Sequence, residues 1–233
     1  MRTTLSFIAF LIGSHIGYGQ RTEFSIQAGS GLFSFYGPNS TNETRLNMDG
    51  YNYLYNPYGR KSEFSYSLAG QVQHTTKRQF IYGVQVGYEK LTSQVSVTAI
   101  VGDFGYPTPA NGQGFLQNQY LNLNPFVGKR FGKEQLCLDV TIGFDAAIGL
   151  ASLEVGKLSE SSIFSRTTGL RRPIPDLDFR PRLTITGYYR AFGLSMGYSH
   201  GLSNYAAKQL SNDATVFSQF WRVGIAYRLG RRA

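Results

Sequence analysis

The chain has 233 residues, of which 16% are charged, 42% hydrophobic and 15% aromatic, and 23 Lys and Arg stand against 14 Asp and Glu for a formal net charge of +9. So low a charge content excludes charge-driven disorder. A single cysteine, Cys137, and three histidines, His15, His74 and His200, exclude a disulfide framework and a cysteine-held metal centre, so neither metal nor cofactor is expected.

Arg2 precedes an apolar run of Leu5, Phe7, Ile8, Ala9, Phe10, Leu11 and Ile12, and Gly17, Tyr18 and Gly19 offer a cleavage site. Residues 1–19 therefore read as a signal peptide. The run is too short for the ~20 residues of a membrane-spanning helix. Residues 20–233 form the mature domain.

Beyond residue 20 the pattern is alternation of apolar with small or polar residues, the mark of strands with two unlike faces. Eight segments show it: 22–37, 64–74, 80–98, 115–130, 135–155, 176–190, 193–203 and 217–229. Most reach or exceed the ~9–11 residues with which a tilted strand crosses a bilayer. In the second, Phe64, Tyr66, Leu68 and Val72 alternate with Ser65, Ser67, Gln71 and Gln73. In the fifth, Leu136, Leu138, Val140, Ile142, Phe144, Ala146, Ile148 and Leu150 oppose Cys137, Asp139, Thr141, Gly143, Asp145, Ala147 and Gly149. The eighth sets Trp221, Val223, Ile225, Tyr227 and Leu229 against Arg222, Gly224, Ala226 and Arg228.

The connections alternate too. Residues 38–63, 99–114, 156–175 and 204–216 make long loops, whereas 75–79, 131–134 and 191–192 are hairpin-sized. Long loops at one mouth and tight turns at the other predict an all-β, eight-stranded, antiparallel up-and-down transmembrane β-barrel. The apolar face then meets lipid. The other face, with Glu89, Asp139, Asp145, Asp178, Arg130, Arg180, Arg182, Arg190, Arg222 and Arg228 among many Gly, Ser and Thr, fills the lumen. Phe33, Phe35, Tyr36, Phe80, Tyr82, Tyr188, Tyr189, Phe220 and Trp221 near strand ends read as interfacial girdles. The rival is a soluble, secreted ligand-binding barrel with the apolar face inside.

Tyr120 to Phe131, YLNLNPFVGKRF, resembles a strand signature of the PorT-like outer-membrane β-barrel family of Bacteroidota, and Tyr198 to Tyr205, YSHGLSNY, is similar to that family's motif entering the last loop. The resemblance implies an eight-stranded barrel in the outer membrane, one branch of the family being implicated in assembling a secretion system. The chain departs from the usual barrel ending, with Leu229 in place of a terminal aromatic residue.

Eight strands enclose an interior that side chains fill, which disfavours a diffusion pore. Asp139, Asp145, Arg180, Arg182, Arg222 and Arg228 are expected to form a luminal ionic network. Tyr51, Tyr53, Tyr55 and Tyr58, with Asn47, Asn52 and Asn56, are the loop contact candidates. Lys77, Arg78, Lys129, Arg130, Lys133, Arg190, Arg228, Arg231 and Arg232 make a basic rim at the short-turn end, against Glu134 alone. That rim fits outer-membrane lipid headgroups or an acidic envelope protein partner, with a merely solvated rim as the simpler reading; no nucleic acid is expected, because export and barrel topology account for the charge without it. The sequence reading is thus a non-enzymatic scaffold. A lipid-modifying barrel enzyme is the alternative, and Ser199, His200 and Ser203 are its only local candidates, with the histidine on the opposite strand face from both serines.

Overall fold

The computed structural model describes residues 21–49, 52–102, 105–133, 135–159, 165–175, 177–207 and 214–230. The signal segment lies outside them, as do Tyr51, Glu134, Arg231 and Arg232. Among the described residues there are ten strands: β1 (Arg21–Tyr36), β2 (Glu43–Asn47), β3 (Lys61–Thr75), β4 (Phe80–Val101), β5 (Pro107–Gly132), β6 (Leu136–Ser159), β7 (Ser165–Arg171), β8 (Leu177–Tyr189), β9 (Phe192–His200) and β10 (Phe217–Leu229).

Eight of them close a ring of antiparallel neighbours in the order β1, β3, β4, β5, β6, β8, β9 and β10, and β10 pairs back onto β1. Closure leaves the ring without an edge strand, so each ring strand has a pairing neighbour on both sides, as hydrocarbon surroundings favour, with local breaks at Pro125 of β5 and between Ser62 and Tyr66 of β3. The turn between β3 and β4 is held by Thr76 and Gln79, and that between β8 and β9 is only two residues, with Arg190 at a φ of 53°.

The apolar positions of the alternation face outward. Ile142 is 58% and Val223 50% exposed, and Phe24, Leu68, Val127, Phe144, Leu183, Leu194 and Trp221 are exposed beside them. So continuous an apolar wall is far larger than any patch a soluble monomer shows, and it is stable only against lipid. The interior in turn holds the charged side chains. Both observations overturn the soluble ligand-binding barrel; the chain is a transmembrane β-barrel.

Three details differ from the sequence reading. The segment 99–114 is mostly strand, since β4 runs to Val101 and β5 begins at Pro107, leaving a short connection of five residues. The loops 38–63 and 156–175 contain β2 and β7; β2 pairs in parallel with the far end of β4, and β7 pairs with the far end of β6. Together β2, β4, β5, β6 and β7 make a curved sheet that stands above the apolar belt, while β8, β9 and β10 stop short. Third, Phe33, Phe35, Tyr188 and Phe220 point inward and are buried rather than forming girdles. Period two assigns a face but not the local width of the barrel, so an aromatic near a strand end fits either a girdle or a plug.

A one-residue bulge in β6 explains how alternation persists while the face changes. Gln119 pairs with Ala151 but Tyr120 with Gly149, so Leu150 is extra. Below the bulge the odd residues Asp139, Asp145 and Ala147 are buried, and above it the even residues Ser152, Glu154 and Leu158 are.

Candidate functional site

The lumen is filled in layers. Nearest the short turns, Arg130 of β5 donates through Nε and Nη2 to both oxygens of Asp139 at 2.7 and 2.8 Å, and through Nη2 to Glu23 at 2.8 Å. Arg228 of β10 reaches the same two acids, donating to Asp139 at 3.1 Å and lying 3.4 Å from Glu23. Its guanidinium lies 3.3 Å from the Tyr188 ring centroid and faces the Cys137 sulfur at 3.6 Å. Cys137 is a buried filler in this layer.

A second layer sits nearer the middle. Glu89 accepts from Arg180 at 2.6 Å, Arg222 at 3.0 Å and Asn122 at 3.2 Å. Asp145 accepts from Arg222 at 2.9 Å, and Arg182 Nη1 lies 3.5 Å away. Arg180 also stands 3.7 Å from Asp178. Both Arg180 and Asp145 are 0% exposed. A chain of amides joins the two layers: Arg182 donates to Gln85, Gln85 to Gln27, Gln27 to Gln71, Gln71 to Gln73, and Gln73 to Glu23, at 2.5–2.9 Å.

The six named network residues thus divide between two clusters. Asp139 and Arg228 belong to the lower one, and Asp145, Arg180, Arg182 and Arg222 to the upper. Arg190 is a correction: it lies on the exposed β8–β9 turn, stacked on Tyr189, because the strand ends one residue before it. Glu23, Gln27 and Gln85 are missing from the sequence reading, which has Gln71 and Gln73 only as polar-face positions of their strand. The signal for Glu23 and Gln27 is alternation in β1, where Glu23, Ser25 and Gln27 interleave with Phe24 and Ile26. With Glu23 added and Arg190 removed, Glu23, Glu89, Asp139, Asp145 and Asp178 balance Arg130, Arg180, Arg182, Arg222 and Arg228. A neutral interior is what a low-dielectric lumen requires, because an unpaired buried ion costs several kcal/mol, roughly 3–5 where a partner is removed.

Above the ions lies an aromatic plug. Residues 201–207 of the β9–β10 connection fold into the mouth, Leu202 donating to the carbonyl of Phe179 and Tyr205 to that of Val216. The Tyr205 hydroxyl donates to Asp178 at 2.5 Å and meets the Tyr120 hydroxyl at 2.5 Å. Phe33, Phe35, Tyr58 and Phe220 pack around it edge to face. Two cavities in the lumen, about 30 Å³ between Gln85, Glu89 and Arg222 and about 20 Å³ beside Gln73 and Asp139, have room for single waters. Side chains of the described residues fill the lumen in layers.

The loop candidates separate. Tyr58 is a correction, since it is fully buried in the plug and donates to the Tyr205 carbonyl at 2.8 Å; burial pushes its hydroxyl well above the usual tyrosine range. Tyr55 is exposed and Tyr53 partly so, and both hydroxyls accept from Asn47. Tyr51 lies outside the described residues. This loop is clasped to the raised sheet: Glu154 accepts from the Leu54 N–H at 2.6 Å and from Arg172 Nε at 2.7 Å, and Arg172 donates to the Leu54 carbonyl at 2.7 Å. Glu154 sits above the belt, and burial raises its carboxyl above the usual range, outweighing Arg172.

At the short-turn rim, Lys77, Arg78, Lys129, Lys133 and Arg190 are exposed, whereas Arg130 and Arg228 are inside, bound to acids. Ser199, His200 and Ser203 do not form a nucleophile and base. Ser199 is 0% exposed on the luminal side, while His200 is held by the Tyr36 and Tyr198 hydroxyls at 2.5 and 3.1 Å. Ser203 donates to the Leu177 carbonyl. Among the described residues no cluster of His, Cys, Asp and Glu could hold a metal.

The ring, its oily belt and its ion-filled lumen define the class: a transmembrane β-barrel. No protein-family model matches the chain, and no curated protein matches its sequence. Among solved structures it is similar to Ail, the attachment invasion locus protein of Yersinia pestis, in complex with the heparin analogue sucrose octasulfate: 14% identity over 90% of this chain and 99% of that one, TM-score 0.43. A second structure of Ail is 13% identical over 91% and 99% of the chains, TM-score 0.37. The translocator domain of the autotransporter NalP from Neisseria meningitidis is 12% identical over 97% and 94%, TM-score 0.31.

Proposed function

We propose that this protein is a non-conducting, non-enzymatic outer-membrane barrel, exported by a signal peptide over residues 1–19, that acts as a scaffold. Its raised sheet and clasped loop face outward from the cell, and its short turns face the periplasm. The observation that carries this reading is the filled lumen: ions, amides and an aromatic plug occupy it among the described residues, which favours surfaces over an interior as the working part. Loops borne on a rigid frame are where specificity concentrates. The exposed Tyr55 beside Tyr53, flanked by Arg172, supplies an amphipathic patch suited to a protein surface or carbohydrate. The resemblance of residues 120–131 and 198–205 to the PorT-like family supports envelope or secretion-system assembly as the setting.

Planar bilayers containing the refolded barrel should show no current steps, and a steady conductance would overturn the closed scaffold. A photo-crosslinker placed at Tyr55 in whole cells should trap a partner at the cell surface. Repeated recovery of the barrel alone would count against the scaffold.

A further inference from the structure

The outer wall carries one feature that the scaffold reading leaves unused. Between β1 and β6 the lipid-facing surface is hollowed into a groove of about 670 Å³ running across β3, β4 and β5, with Phe24, Val72, Val84, Val127, Ile142 and Phe144 among its walls. Inside the barrel, behind it, lies the lower ionic layer. β1 and β6 stand four places apart in the eight-strand ring, on opposite sides, yet Arg130 on β5 binds Glu23 of one and Asp139 of the other. Gln73 on β3 donates to the same two acids at 2.9 and 3.4 Å. These bonds cross the lumen directly behind the groove.

The groove has a chemical direction. Toward the short turns it ends in polar groups: Thr22 is hydrogen-bonded to His74 at 3.1 Å, and the His74 ring lies 5.1 Å from that of Tyr82. Just beyond are three exposed cations. Lys129 lies two residues past Val127 on the same outer face, its ammonium 5.7 Å from the Phe80 and Phe131 rings. Lys77 and Arg78 occupy the β3–β4 turn above the groove's end. Among the described residues no exposed acid stands at this rim. An apolar slot closed by hydroxyl, imidazole and cations matches one amphiphile: an acyl chain joined to an anionic headgroup.

We infer that the groove is a binding site for an anionic glycerophospholipid of the inner leaflet, with an acyl chain along Val72, Val84, Val127 and Ile142 and the phosphate at Lys129, Lys77 and Arg78. This goes beyond generic lipid contact, since it names one stretch of wall and one headgroup charge. It rests on the periplasmic placement of the short turns in the proposed function. The site would hold the barrel at a fixed depth and rotation, with the raised sheet on the opposite leaflet.

The test uses full-length refolded protein in detergent, loaded with phosphatidylglycerol or phosphatidylcholine and read by native mass spectrometry. Unmutated protein should retain phosphatidylglycerol at least about tenfold better, given about fivefold per cation at an anionic surface. Joint replacement Lys77→Gln, Arg78→Gln and Lys129→Gln should abolish that preference, while Arg190→Gln on the other hairpin should not. Val127→Trp, which fills the groove, should lower retention of both lipids. Equal retention of the two lipids by unmutated protein, or an unchanged preference in the triple variant, overturns the site. If such a protein still migrates heat-modifiably, the barrel reading survives that failure; loss of heat-modifiable migration by the unmutated protein overturns both.

Discussion

The two ionic layers of the lumen are built from the same residue types but solve burial differently. In the lower layer Arg130 grips Asp139 with two donors and Glu23 with one of them, and Arg228 covers the same two acids. In the upper layer three arginines share Glu89, Asp145 and Asp178, and Arg180 Nε and Nη1, Arg222 Nε and Nη1, and Asp145 Oδ1 make no direct hydrogen bond to protein. The lower layer is a redundant staple across opposed strands. The upper one is held mainly by charge balance. Geometry is therefore the strength of one and neutrality the strength of the other.

That contrast can be broken experimentally. The largest effect should come from Arg180→Met, which leaves three carboxylates facing two arginines. Unfolding by urea in lipid vesicles should show a loss of about 3–5 kcal/mol. Val223→Arg removes nothing from either layer but places a charge on the lipid face; the same assay should report about 2–4 kcal/mol, and a neutral result would mean that the belt does not lie in hydrocarbon. Arg130→Met should cost less than Arg180→Met, about 2 kcal/mol, because Arg228 stays within reach of both acids. Equal losses for the two arginine variants would erase the distinction between staple and balance.

Smaller effects sharpen the picture toward the mouth. Tyr205→Phe removes the hydroxyl that Asp178 and Tyr120 share, and should destabilise by about 1–2 kcal/mol while increasing hydrogen exchange in residues 201–207. The smallest effect concerns Glu154. Its folded carboxyl binds a proton more readily than it would unfolded, so its stabilising contribution is present at acidic pH and is lost as pH rises through the folded value. Exchange protection of residues 52–58 should thus fall from mildly acidic to neutral pH. Glu154→Gln, unable to ionise, should flatten that trend.

Alternation gave the ring strands and two unlike faces on each, the alternating loop lengths gave their up-and-down direction, and the charged and small residues gathered on one face pointed the other toward lipid. In β6 the phase read from Leu136 to Leu150 holds to the last of those residues. Asp145, Arg180, Arg182 and Arg222 are legible by parity as inward residues. Which acid each arginine meets is not legible, because partners such as Arg130 and Glu23 are 107 residues apart and join only when the ring closes. Tyr58 and Tyr55 look alike in sequence, yet one is plug and the other surface. That division, the phase change at Leu150 and the hollow outside Arg130 belong to tertiary structure alone. They depend on how wide the cylinder is at each height, a length that no local pattern of side chains encodes.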